Sequence, residues 1–507
     1  MIQIDGCRLT MDDIVRVARF GEKVGIHPDG QKALEESHQR LQQILLTGKP
    51  VYGINTGFGI FADRSIPNSD SAKLSRNLIL SHAVGAGSEL PADVVRGAML
   101  VRANTLVKGF SGVRPVVVET LLEMLNRGVT PVVPSQGSLG SSGDLCMLSH
   151  MALVFTTDAN DGEEDSGFAN YQGRKMSGKA AMEAAGIPRI VLGPKEGLAI
   201  NNGATFAAAI AALTLHDAWY LMDAAEKSLA LSMEALLGCT SAYDERLHAA
   251  RGQVGQIQTA KAVKALLEGS TLAGSTQRVQ DAYSLRCAPQ VQGVARDTWH
   301  FTSSIVEREI NAATDNPLIF ESGEAISGGN FHGEPIGAVM DFLAIALAEV
   351  GAIAERRTFR LTDGKLNEGL PPMLVDSTNA AGLNSGLMMP QYTAASLVLE
   401  NQSLATPDSV HSLPTSGNQE DHNANATTAA RHCRMIMKNV RRILAIELFT
   451  ASRAVDLRMK MDKNARLGVG TLKVFEAIRK QVPYTADDAW WGPQIDAVEA
   501  LLWDEII

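Results

Sequence analysis

The chain has 507 residues, of which 45% are hydrophobic, 20% charged and 5% aromatic, a composition that excludes a disordered chain, a collagen-like repeat and a disulfide-stapled small protein. Its 46 Lys+Arg against 56 Asp+Glu leave a net charge of −10, which argues against a broad nucleic-acid or anionic-membrane surface and towards small-molecule partners. Cys7, Cys146, Cys239, Cys287 and Cys433 are scattered without a CxxC pair, as suits a reducing cytoplasm.

The opening MIQIDGCRLTMDD carries acidic residues and lacks the apolar run of a signal peptide. Residues 1–200 read as an irregular, site-building part, where helical runs such as KALEESHQRLQQILLTG alternate with Gly-rich turns. Within it, TDANDGEED at residues 157–165 is expected to be an acidic surface loop, and GFANYQGRKMSG a short hairpin turning near Gly173. Residues 201–507 form the second expected part, dominated by GATFAAAIAALTLHDAWYLMDAAEKSLALSMEALLG, AVMDFLAIALAEVGAIAERR and ATTAARHCRMIMKNVRRILAIELFTASRAV. Their apolar positions recur at helical spacing, with little β-branched alternation. The most apolar stretches, residues 204–222 and 335–354, carry His216 with Asp217 and Asp341 with Glu349, so long buried helices are expected there and not membrane spans. A helix apolar on most faces needs neighbours on most faces, which predicts a mainly α-helical bundle and an oligomer.

The densest chemical signal is TPVVPSQGSLGSSGDLCMLSHMALVF, residues 130–155, a Gly/Ser cluster between two apolar stretches. One reading is a tight buried turn. A second is a serine nucleophile, although GSLGSSG lacks the GxSxG elbow. A third is self-modification: the Gly143 nitrogen attacks the Ser141 carbonyl, and loss of two waters leaves a ring with a methylidene from Ser142. Only glycine leaves the attacking nitrogen so unhindered. Nothing has HExxH spacing, and no metal is expected.

VYGINTGFG (residues 51–59), LILSHAVGAG (78–87), KEGLAINNG (195–203), VQDAYSLRCAPQ (279–290), TDNPLIF with SGGNFHGEP (314–335) and LPTSGNQEDH (413–422) accompany that segment. Together they resemble the histidine branch of the aromatic amino acid ammonia-lyase and aminomutase family, from about residue 8 to the C-terminus. The resemblance implies the long central helical bundle of the fumarase/aspartase-like ammonia-lyase type, a homotetramer with active sites drawn from more than one chain, and no nucleic-acid or membrane partner. It implies that Ser141, Ser142 and Gly143 cyclise autocatalytically to 4-methylidene-imidazol-5-one (MIO), with Asp144 assisting and no external cofactor. Tyr52 is then the base for the β-proton, which asks for a lowered phenol pKa, and Tyr283 a second catalytic tyrosine. Arg286 clamps the substrate carboxylate as a planar bidentate donor, and Asn202, expected at the start of the long helix, holds the MIO oxygen or the carboxylate. Gln280 and Phe331 belong to the pocket wall.

Phenylalanine enzymes of this family tend to carry Phe-Leu, and tyrosine enzymes His-Leu, where this chain has Ser81 and His82. With Glu420 these imply an imidazole substrate, because a buried carboxylate facing phenyl stays unpaired. The implied activity is elimination of ammonia from L-histidine to trans-urocanate in the cytoplasm. A histidine 2,3-aminomutase or a lyase for an imidazole analogue is the runner-up, and a catalytically inactive helical scaffold the expectation of another class. The chain departs from the family pattern at Ser141 (for Ala), Ala282 (Pro), Cys146 and Met147 (Ala-Pro), Asn201 (an apolar residue) and Ala204 (Thr), with several of these expected close to the pocket.

Overall fold

The computed structural model describes residues 1–61, 63–376, 379 and 381–503. Among them are eighteen α-helices, against strands of at most four residues. The elements that matter below are α1 (Ser71–His82), α2 (Ala92–Val107), α3 (Leu145–Phe155), the strands β1 (Phe168–Tyr171) and β2 (Arg174–Ser177), α4 (Glu196–Asn201), α5 (Thr205–Ala235), α6 (Tyr283–Arg286), α7 (Ala288–Glu309), α8 (Glu334–Thr362) and α9 (Ala426–Met461). The three long Ala/Leu-rich segments are thus the helices α5, α8 and α9 that their periodicity predicts. β1 and β2 pair antiparallel around Gln172 and Gly173, whose φ of 48° and 75° give the left-handed two-residue turn that suits the twist of a hairpin.

The chain divides into two compact units: Met1–His216 with Thr302–Asp341 and Pro407–Arg431, and Asp217–Phe301 with Phe342–Thr406 and His432–Ile507. The division expected after residue 200 falls inside the first unit, which runs on into α5 and takes in segments from much later in the chain.

In the first unit α2 is buried from Gly97 to Val107, and the one cation in that stretch, Arg102, is fully enclosed. The acidic segment 157–165 is more than a surface loop. Asp161 accepts from Arg76 Nε at 3.1 Å and Nη2 at 2.7 Å, with both side chains under 10% exposed. Arg76 lies in the middle of α1 and needs a carboxylate to be buried, so the loop turns inward and anchors the helix that carries Ser81 and His82.

In the second unit Glu447 accepts from Arg357 at 2.5 and 2.9 Å and from Ser232 at 2.6 Å, an ion pair wholly buried between apolar helices. By length and composition α8 could cross a membrane, but 61% of its most apolar window is buried. Within the first unit its Asp341 accepts from the backbone of Asp408 and Ser409 at 3.1 and 2.9 Å.

Candidate active site

The Gly/Ser cluster forms the floor of a cavity of about 1120 Å³ in the first unit, within reach of the size of small-molecule sites. Gly143 has φ 77°, and a Cβ there would lie 2.0 Å from the carbonyl carbon of Gly203. Gly203 has φ 123°, and a Cβ there would meet the Thr314 carbonyl oxygen at 2.3 Å. The two glycines therefore interlock as bare main chain. Gly203 N–H donates to the Ser142 carbonyl at 3.2 Å, and Asp144 N–H donates to the Gly203 carbonyl at 2.9 Å.

Asn202 does not start the long helix. It closes α4 in an extended conformation (φ −97°, ψ 126°), because left-handed Gly203 interrupts the chain before α5 begins at Thr205. Its Nδ2 thereby donates to the Ser142 carbonyl at 2.9 Å, and its buried Oδ1 has no hydrogen-bond partner among the described residues. Arg102 supports this stretch from below, donating to the carbonyls of Asn202 and Ala199 and to Thr314 Oγ1. Burial pushes its guanidinium down to about 10.

Asp144 is fully buried and accepts from Ser138 Oγ at 2.7 Å, from Thr427 Oγ1, and from the first-turn amides of Phe206 and Ala207 at 2.7 and 3.0 Å. It thus caps α5 and complements that helix's positive end. Burial raises its carboxyl pKa despite these donors. Glu309, at the end of α7, is pushed up to about 7 by burial and then by the charge of Asp144.

The wall consists of side chains. Ser81 and His82 stand on the last turn of α1, with Ser81 Oγ 3.0 Å from His82 Nδ1, and burial lowers the imidazole pKa while the charge of Glu420 opposes this. Tyr52 sits in a loop stapled by Asn55, whose Oδ1 accepts from Val51 N–H at 2.7 Å and whose Nδ2 donates to the Lys49 carbonyl at 3.0 Å. The lowered phenol expected of Tyr52 is not found: burial and the negative Glu420 raise it, and only a backbone hydrogen bond at Gly59 acts downward. Glu420 receives both serine hydroxyls, Ser141 Oγ on Oε2 and Ser142 Oγ on Oε1, each at 2.9 Å. Phe331 also lines the cavity.

Gln280, Tyr283 and Arg286 belong to the second unit and are absent from this lining. On α6, Tyr283 is 68% exposed, with the Arg286 guanidinium 4.5 Å from its ring centroid. Of the departures from the family pattern, only Ser141 lines the cavity. Cys146 and Met147 are buried away from it, Asn201 Nδ2 donates to Ser149 Oγ at 3.2 Å, Ala204 is enclosed, and Ala282 caps α6 at φ −63°, an angle that proline also adopts. Asn77, which lies outside the sequence motifs, also lines the cavity, as do Asn316 and the stacked pair His332 and His422, 6.0 Å between ring centroids, which lie within those motifs but carry no expected role. No cluster of three or more potential metal ligands occurs among the described residues.

The family model described as "Aromatic amino acid lyase" matches residues 9–480. The chain belongs to the aromatic amino acid lyase family. It is 46% identical to the histidine ammonia-lyase of Treponema denticola over 100% of this chain and 97% of that one, and 47% identical to the histidine ammonia-lyase of Caldanaerobacter subterraneus over 96% and 93%. Among solved structures, histidine ammonia-lyase from Trypanosoma cruzi aligns with a TM-score of 0.89 at 35% identity, covering 100% of this chain and 94% of that one. The phenylalanine aminomutase of Pantoea agglomerans aligns at 0.92 and 31%, covering 99% of each. The helical architecture described above is the fold of these lyases, and the chain is a carbon–nitrogen lyase.

Proposed function

We propose that the chain eliminates ammonia from L-histidine to give trans-urocanate, using MIO formed from Ser141, Ser142 and Gly143. The observation that carries this reading is the meeting of Ser141 and Ser142 with Ser81, His82 and Glu420 in one cavity. The residues fit the cyclised group: Gly143 leaves its nitrogen unhindered, two donors converge on the Ser142 carbonyl, and Asn202 Oδ1 is an unpaired buried acceptor. Asn202 and the Gly203 amide would hold it, through the Ser142 carbonyl on which they converge. Such a group supplies an electrophile that captures the substrate amine and turns it into a better leaving group.

The remaining work falls to the chain's own side chains. His82, kept neutral by burial and with its Nδ1 beside Ser81 Oγ, offers Nε2 to the substrate, while Glu420 only accepts, a set that imidazole satisfies and phenyl does not. Tyr52 removes the β-proton. Because burial and Glu420 hold its phenol up, that duty requires a nearby positive charge. In a homotetramer, Arg286 of the partner subunit supplies the charge while clamping the carboxylate, and Tyr283 and Gln280 join the same wall. The exposed pairing of Tyr283 with Arg286 supports this assignment. Mixing inactive Tyr52→Phe and Arg286→Ala proteins restores activity if the two residues act from different chains, and restores none if they do not.

The decisive experiment weighs the intact protein and follows its nitrogen. The mass should fall two waters below that of the sequence, and histidine should yield free ammonia and an ultraviolet-absorbing conjugated product in equal amounts. Active protein of unmodified mass refutes the cyclised tripeptide. Retention of nitrogen as β-histidine makes the enzyme an aminomutase.

A further inference from the structure

We infer that Ser141, the one departure from the family pattern that lines the cavity, is a positioning residue that fixes the Glu420 carboxylate to receive a ring N–H of the substrate. The inference rests on the cyclised reading above and adds to it a reason for the unusual first residue of the tripeptide.

Before cyclisation both Glu420 oxygens are engaged, Oε2 by Ser141 and Oε1 by Ser142. Ring closure joins Gly143 N to the carbonyl carbon of Ser141. The carbonyl oxygen leaves as water with the hydrogens of Gly143 N and Ser142 N, and the second water carries off Ser142 Oγ and its hydrogen with the Ser142 Cα hydrogen. No electrons enter or leave. The two hydroxyls therefore have different fates: that of Ser142 is expelled, and that of Ser141 stays.

Glu420 then keeps one oxygen tethered and has the other released. A partly buried carboxylate with a free oxygen is a strong acceptor in search of a donor. The backbone of Glu420 is fixed independently, by reciprocal bonds with Thr415 at 2.8 and 3.3 Å, so the Ser141 tether acts on the side chain alone. Ser141 is 6% exposed, so little water reaches its hydroxyl to compete with the bond to Glu420. An alanine there leaves Oε2 unheld and the carboxylate free to rotate. The ligand class follows: an α-amino acid whose ring carries an N–H donor, with imidazole fitting best beside His82, and plain aromatic rings disfavoured.

The test compares the natural chain with Ser141→Ala, Glu420→Ala and the double variant, each weighed intact and titrated with trans-urocanate. Ser141→Ala should keep the two-water deficit, because its side chain is a spectator in ring closure. It should weaken trans-urocanate binding and raise KM for histidine by about fivefold, with a smaller change in kcat. In the Glu420→Ala background the same change should alter binding by less than about twofold, since a residue acting through Glu420 has nothing left to act on. Equal weakening in both backgrounds, or none in either, overturns the inference while the mass deficit keeps the cyclised reading intact. A natural chain of unmodified mass overturns the cyclised reading itself.

Discussion

The cavity floor, where Ser142 and Gly143 lie against Asn202 and Gly203, is held mostly by main-chain hydrogen bonds and by the absence of two Cβ atoms. The wall, made by Tyr52, His82, Phe331 and Glu420, consists of partly exposed side chains on loops and a helix end. The floor tolerates almost no change of shape, because backbone cannot repack. The wall tolerates a change of shape and loses a specific interaction instead.

The largest effect should come from adding one methyl to the floor. Gly143→Ala puts a Cβ 2.0 Å from Gly203 on a residue with φ 77°, so the two-water mass deficit should vanish and turnover should fall by on the order of a thousandfold or more. Normal activity in this variant would break the contrast outright. Next is the support beneath: Arg102→Met leaves two buried carbonyls and the Thr314 hydroxyl without a donor, for an expected loss of about 3 kcal/mol in urea unfolding.

On the wall, His82→Leu should lower kcat/KM for histidine by about ten- to a hundredfold, with the melting temperature nearly unchanged. Loss of stability to match the loss of activity would make His82 part of the scaffold. The smallest effect is electrostatic. Glu309, near 7 in the folded chain against an ordinary 4.5, holds its proton more tightly when folded. It therefore contributes stability below about 4.5 that is lost as pH rises through about 7, and Glu309→Gln should flatten that decline and gain about 1 to 2 kcal/mol at pH 8. A pH–stability curve unchanged by the substitution would remove Glu309 from the charged group beneath the floor.

How far the sequence foretold these regions follows the same physics. α5, α8 and α9 were readable because burial on most faces leaves a long apolar period, and the hairpin at Gly173 because its turn demands left-handed residues. The Ser141–Gly143 segment stood out as glycine and serine between apolar flanks. Arg102 did not, since one arginine in an apolar helix carries no periodic signal and its acceptors come from distant segments. Asp161 reads as one acid among several, and it is Arg76, with Arg189 nearby, that marks it as the buried one. The direction of the Tyr52 shift differs from the expectation because burial raises the phenol and Glu420 adds to it, and the loop motif shows neither.

The interlocked glycines have a consequence for how such a protein can change over generations or in a laboratory. Neither position offers a stepwise mutational path, because a side chain at Gly143 collides with the backbone of Gly203, and one at Gly203 with Thr314. A library aimed at new substrates should therefore keep Gly143 and Gly203 fixed and randomise Ser81 and His82, with Ser141 and Glu420 varied together as a pair. Reactivity and selectivity are inherited through separate parts of the chain, so the second can drift while the first stands still.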